Sequence, residues 1–390
     1  MAFTPDSQYF ATGSWDQTVK LWDVNQRRIV RQFLGHRGPT VGIEFDPDDN
    51  ILYTASGDYE DSGTVRIWNW NIAEHAVITK QLHDNQIRDV AISSDKTNPV
   101  IATGGSEGDI QLWWPHRKKN QALLVPKQTK YPVNCLAFHP KKTNILITGH
   151  NDGRIQEWDI TTGKVVHTYV KEKGDVLSLC YSPEGDRLVV GLGDRLDGTK
   201  KGTIRIWDTN KRKLLYSDLS DTSSVFSVTV SNSGKYIVSG SGVYDEPDRR
   251  YVKGTLKLWN LKTGQFINDL PCKQQHKVEC VRYNPQGTML ASASSDHSIH
   301  LLPLEKGKKP IPLIGHTDDV YDLTFCPDGK RLASASLDYS VKIWDVAKAE
   351  VVFTLTTVDE CRSLSFSSDG RYLVVALGNG QLNLYDCGEE

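Results

Sequence analysis

The chain has 390 residues, with 46 Lys and Arg against 48 Asp and Glu, a formal net charge of −2 at pH 7. That balance gives no global basic field for a nucleic acid or an anionic membrane. No run approaches the ~20 consecutive apolar residues of a membrane-spanning helix, and the opening MAFTPDSQYF lacks the basic and apolar regions of a secretory leader.

Seven cysteines (Cys135, Cys180, Cys272, Cys280, Cys326, Cys361 and Cys387) form no C-x-x-C pair and no zinc-type spacing with histidine. They read as small buried hydrophobes in a reducing, cytoplasmic setting, with no metal and no cofactor expected. Ten tryptophans stand against two methionines, and most of the tryptophans recur in one context.

Along the chain, short runs end in Trp and a polar residue: TVKLWD at Thr18, TVRIWN at Thr64, DIQLWW at Asp109 and RIQEWD at Arg154. TIRIWD at Thr203, TLKLWN at Thr255 and SVKIWD at Ser340 continue the series, and SIHLLP at Ser298 and QLNLYD at Gln381 are degenerate copies. The anchors are Trp22, Trp68, Trp113, Trp158, Trp207, Trp259, Leu302, Trp344 and Tyr385, between 41 and 52 residues apart. Each unit has an alternating apolar run, a small-residue run such as RLASAS at Arg331, a turn, the Trp run and a fourth apolar stretch. Period-two alternation bounded by Gly, Asp and Pro predicts strands. No helical pattern interrupts them.

Four short strands per repeat ending in Trp-Asp resemble the WD40 repeat of β-propellers. The resemblance implies an all-β fold of nine repeat units, with eight or nine blades in one propeller over residues 1–390. Gly35-His36 and Gly315-His316 match the family's Gly-His dipeptide. The family's hydrogen-bonded chain then falls on His316, Ser334 or Ser336, Asp338 and Trp344, a structural role. The turn Asp recurs as Asp16, Asp152, Asp296 and Asp338. The last unit stops at Asp386 without a fourth run, and the first begins inside its first run, so neither end offers a closing strand. An open ring, or a segment of a longer multi-domain protein, stays possible on sequence alone.

Three units carry long insertions with acidic clusters: Gly57 to Gly63, Gly193 to Gly202 and Gly242 to Gly254. They lack the spacing of a calcium loop and read as surface loops. Two basic groups, at 116–119 and at Lys306, Lys308 and Lys309, read as solvated turns. No phosphate-binding loop, nucleophile elbow or zinc-protease motif is present, so no catalytic residue is expected.

Superposing the units selects one position near the start of each innermost run: Gly42, Arg88, Asn134, Leu177, Phe226, Glu279, Tyr321 and Arg362. In the family this rim binds proteins or peptides, and Trp15 resembles a second exposed rim position. Arg88, Asn134, Phe226, Glu279, Tyr321, Arg362 and Trp15 are therefore the candidate protein-binding residues. The implied function is a non-catalytic interaction scaffold for protein or peptide partners. Two alternatives stand beside it: a ligand-sensing segment of a larger signalling ATPase or kinase, and a substrate receptor of a ubiquitin ligase. The last is weakened because no Trp-Asp-x-Arg occurs. Partner identity and oligomeric state are not encoded in any motif.

Overall fold

The repeat unit folds as a small antiparallel sheet. A computed structural model describes residues 1–387 apart from 16–17, 26, 34–38, 47–50, 57–63, 70–76, 116–122, 126–130, 170, 195–201, 221–222 and 246–249. The nine repeats give nine sheets, numbered 1 to 9 in chain order, and the described residues contain no helix. Among the described residues eight sheets hold four strands, while sheet 2 (Thr40–Phe45, Ile51–Ser56 and Thr64–Asn69) holds three.

The chain divides into two compact units, Met1–Val77 with Leu355–Val358, and Ile78–Thr354 with Asp359–Glu390. Sequence alone groups all 390 residues as one propeller. The smaller unit holds sheets 1 and 2 around Ala11, Val19, Leu21, Phe33, Phe45 and Leu52.

The larger unit holds sheets 3 to 9. Their inner strands are Ile87–Ile92, Val133–Phe138, Asp175–Tyr181, Ser227–Val230, Val278–Tyr283, Val320–Phe325 and Cys361–Phe366. Each inner strand lies beside the next, and Cys361–Phe366 lies beside Ile87–Ile92, so the series returns to its start. The core sits between neighbouring sheets. Tyr372, Val374, Leu382 and Leu384 of sheet 9, for example, pack with Ile87, Val90, Ile101 and Trp113 of sheet 3.

This packing explains the small residues of the second strands. A Cβ built on Gly104 would lie 2.6 Å from Val133 of the next sheet, and one on Gly149 would lie 2.3 Å from Val176. At these two positions only Gly leaves room for the next inner strand to approach.

The missing fourth strand of sheet 9 comes from inside the chain. Val77–Gln81 pairs beside Gln381–Asp386. Thr79 Oγ1 donates to Asn383 Oδ1 at 3.0 Å, and Gln81 Nε2 donates to the Asn379 carbonyl at 2.8 Å. Among the described residues every other outer strand follows the third strand of its own sheet, and sheet 2 has three strands.

The insertion at Gly242 to Gly254 is largely not a loop. Tyr236–Asp245 and Arg250–Asn260 form one long hairpin, paired out to Asp245 and Arg250. The insertion at 57–63, most of that at 193–202, the basic group at 116–119, Asp16 and Gly35-His36 lie outside the described residues. Lys306, Lys308 and Lys309 are exposed between strands Ile299–Pro303 and Ile311–Leu313.

Candidate binding site

The inner strands slip register by one residue near their starts. In sheet 4, Val133 pairs with His150 and Cys135 with Gly149, which leaves Asn134 unpaired. The same slip occurs at Arg88, Leu177, Glu279, Tyr321 and Arg362. Such a bulge bends the strand and turns one side chain out of the ladder. Phe226 just precedes the paired Ser227–Val230. All seven residues line one cavity of about 360 Å³.

One sequence alignment is off by a residue. In sheet 2, Thr40 pairs with Ser56 and Gly42 with Ala55, so the bulged residue is Val41, not Gly42. Trp15 belongs to the smaller unit, where it is 77% exposed.

The cavity residues differ in what they present. Arg88 Nη1 donates to Asn134 Oδ1 at 2.7 Å, and Asn134 Nδ2 donates to the Val176 carbonyl at 3.1 Å. The Arg362 guanidinium lies 4.7 Å from the centre of the Tyr321 ring and pairs with Glu360. Arg88, Tyr321 and Arg362 keep part of their surface, while Asn134 and Glu279 are buried. Phe226 is only 3% exposed: Lys277 Nζ lies 4.8 Å over its ring and Tyr251 packs edge-on at 5.5 Å. Lys277 Nζ also pairs with Glu279 Oε1 at 2.8 Å. Phe226 therefore serves packing, and the presentable groups are the two arginines and Tyr321.

The residue after each bulge fastens neighbouring sheets. Asp89 Oδ2 accepts the Leu136 N–H at 2.7 Å, Ser178 Oγ that of Val228 at 3.0 Å and Ser227 Oγ that of Val281 at 3.0 Å. Asp322 Oδ2 accepts the Leu364 N–H at 3.1 Å, and Ser363 Oγ accepts that of Val90 at 3.3 Å. The last bond joins sheet 9 to sheet 3.

Two carboxylates and a guanidinium meet at this level. Ser363 Oγ lies 2.7 Å from Asp89 Oδ1 and 2.9 Å from Asp322 Oδ2, and its one proton serves one of them at a time. Arg282 Nη2 donates to Asp322 Oδ1 at 3.0 Å. Burial, and then the nearby Asp322, push the Asp89 carboxyl up to about 7. Sequence reasoning did not single out Asp89, Arg282 or Asp322. The signal was a polar or small residue one place after the selected position: Asp89, Cys135, Ser178, Ser227, Cys280, Asp322 and Ser363.

The predicted structural chain has definite geometry. The Trp344 indole N–H donates to Ser334 Oγ at 2.8 Å; His316 Nε2 lies 2.7 Å from Ser334 Oγ and Nδ1 lies 2.8 Å from Asp338 Oδ2. Ser336 instead donates to the Asp318 carbonyl. Every polar atom is used when His316 is neutral and donates from Nδ1. Burial pushes His316 below the ordinary histidine range, and the histidine holds the Asp338 carboxyl at about 2 against its own burial. A second His–Asp pair was missed: His83 Nδ1 lies 2.8 Å from Asp109 Oδ2, and Nε2 lies 2.7 Å from Thr103 Oγ1. No Gly precedes His83, and Asp109 stands four rather than six residues before its Trp.

Among the described residues one group brings potential metal ligands together, His297, Asp318 and Asp319, within 4.8 Å of one another. His297 and Asp318 are exposed, so the group is a surface charge cluster. All seven cysteines are free thiols, and no described helix is long and apolar enough to cross a membrane.

The family model "WD domain, G-beta repeat" matches residues 1–23, 27–69, 264–301, 307–345 and 350–386. The model "Eukaryotic translation initiation factor eIF2A" matches residues 105–278. Periodic tryptophan protein 2 of Arabidopsis thaliana is 27% identical over 199 residues, 51% of this chain and 21% of that protein. A guanine nucleotide-binding protein subunit beta of Nicotiana tabacum is 28% identical over 207 residues, 49% of this chain and 53% of that protein. Nuclear distribution protein PAC1 of Komagataella phaffii is 28% identical over 171 residues, 41% of this chain and 33% of that protein. The matches thus span between about a fifth and a half of these relatives.

Proposed function

We propose that this chain, which belongs to the WD40-repeat family, is a non-catalytic scaffold holding a protein partner at the rim of the cavity in its larger unit. The observation that carries this reading is the bulge shared by the inner strands. It turns one side chain per strand, free of ladder duty, toward a common cavity.

Arg88, Tyr321 and Arg362 are the contact residues. Arginine and tyrosine are the residue types that dominate binding hot spots, and here each is oriented by a neighbour, Asn134 for Arg88 and Tyr321 for Arg362. Orientation in the free protein lowers the entropy lost on binding. A relative named as a subunit of a larger protein accords with this role. An intracellular setting fits the free thiols.

The test is affinity capture from source-cell extract with the native chain and with the Arg88→Ala, Tyr321→Ala, Arg362→Ala variant. A partner retained by the native chain should bind the folded variant at least tenfold more weakly, about 1.4 kcal/mol. Equal retention by both places the contact elsewhere and defeats this assignment.

A further inference from the structure

The three contact residues of the rim stand on one hydrogen-bond node. Arg88 directly precedes Asp89, Tyr321 precedes Asp322 and Arg362 precedes Ser363. The node joins the inner strands of sheets 3, 8 and 9, all within the larger unit. A change in its spacing therefore moves the backbone that carries Arg88, Tyr321 and Arg362.

One proton decides that spacing. Ser363 Oγ touches both carboxylates with a single hydrogen to give. Asp322 is the better supplied. Its oxygens also accept Arg282 Nη2 at 3.0 Å, Cys280 Sγ at 3.2 Å, and the N–H groups of Leu323 at 2.9 Å and Leu364 at 3.1 Å. Asp89 accepts the N–H groups of Val90 at 2.9 Å and Leu136 at 2.7 Å. The added proton of the node therefore belongs on Asp89. Protonated, Asp89 Oδ1 donates to Ser363 Oγ, Ser363 donates to Asp322 Oδ2, and both contacts are hydrogen bonds. Ionised, Asp89 competes with Asp322 for the one Ser363 hydrogen, and one contact becomes two bare oxygens in a buried setting. Such a contact opens. The other groups around Asp89 are committed elsewhere: Arg282 to Asp322, Arg88 to Asn134, Arg362 to Glu360, and the Cys135 thiol to the Val176 carbonyl. Cys361 of sheet 9 is buried.

We infer that the proton shared at Asp89, Ser363 and Asp322 holds the rim in its binding arrangement, so that a partner is held more tightly below neutral pH than above it. This rests on the rim site proposed above. The Asp89 carboxyl, at about 7, changes charge in the range that matters. Binding favours the protonated node, which an ionised chain must first restore, so affinity falls by up to about tenfold per pH unit above that point.

The probe is phenylglyoxal, which modifies accessible guanidinium groups. The full chain is treated at pH values from about 6 to 8, and modification of Arg88 and Arg362 is read by peptide mass spectrometry relative to exposed Arg371. Relative reactivity should rise at least threefold with pH in the native chain. It should stay flat in Asp89→Asn, whose amide offers Ser363 a hydrogen at every pH, and flat but high in Ser363→Ala. A partner captured from extract should be retained about tenfold better at pH 6 than at pH 8 by the native chain, and equally at both by Asp89→Asn. Parallel arginine profiles in the native chain and both variants overturn the proposal, and so does the same pH dependence of retention in the native chain and Asp89→Asn. Capture of no rim-dependent partner defeats the site reading alone, and the arginine profiles then still decide the node.

Discussion

The carboxyl of Asp89 shares Ser363 with Asp322 and accepts the Leu136 N–H across a sheet boundary. Its position at about 7 makes it a source of pH-dependent stability. Below the ordinary value of 3.8 the group is protonated in both folded and unfolded chains, and the effect vanishes. Between 3.8 and about 7 the unfolded chain ionises first, so folding must take up a proton and stability falls as pH rises. Above about 7 both states are ionised and the loss is complete. Asp89→Asn removes this slope. The amide also turns an N–H toward backbone donors, which adds an offset that does not vary with pH. Denaturant titrations from pH 4 to 7 should therefore show the variant gaining on the native chain by up to about 1 kcal/mol per pH unit. A constant difference across that range would show that Asp89 ionises normally in the fold.

At the scale of strands, the outer strand of sheet 9 is five residues, Val77–Gln81, that precede sheet 3 in the chain. Proline at both 79 and 80 removes two consecutive N–H groups, one of which faces Gln381–Asp386 whichever way the strand lies. The outer strand Ile311–Leu313 already carries Pro312, so proline in an outer strand is not disruptive in itself. Thr79→Pro with Lys80→Pro should cost about 1–3 kcal/mol. It should speed amide exchange in both sheet 9 and Ile87–Ile92, because the two meet there. Proline at Val165 and Val166, in the outer strand Lys164–Thr168, should disturb sheet 4 alone. Equal, local effects would mean that Val77–Gln81 is an ordinary outer strand. The donor of this strand was not legible in the sequence, although the lack of a fourth run after Asp386 was. Periodicity marks which segments are strands and is silent on which sheet a strand joins. Outer strands have the same alternating pattern everywhere, so the pairing of Val77–Gln81 with sheet 9 leaves no mark in composition. The bulges were legible only as a position shared by the repeats. Their register became visible once each inner strand was paired, which is how Gly42 gave way to Val41.

At the scale of the molecule the two compact units should unfold separately. Among the described residues the smaller has a core of six buried apolar residues between two sheets. Units of that size bury a smaller fraction of their surface than larger ones and are marginal. The larger buries apolar layers at successive sheet boundaries and joins its last sheet to its first through Ser363 and Val90. Two-state behaviour is therefore not expected of the whole chain. Thermal unfolding followed by tryptophan fluorescence and amide exchange should show an early transition confined to residues 1–77 and a later one for the rest. Leu21→Ala, at a fully buried position in the smaller unit, should remove about 2–5 kcal/mol from the early transition and leave the later one in place. Leu290→Ala, equally buried in the larger unit, should do the reverse. A single transition that both variants lower together would mean that the two units share one cooperative core.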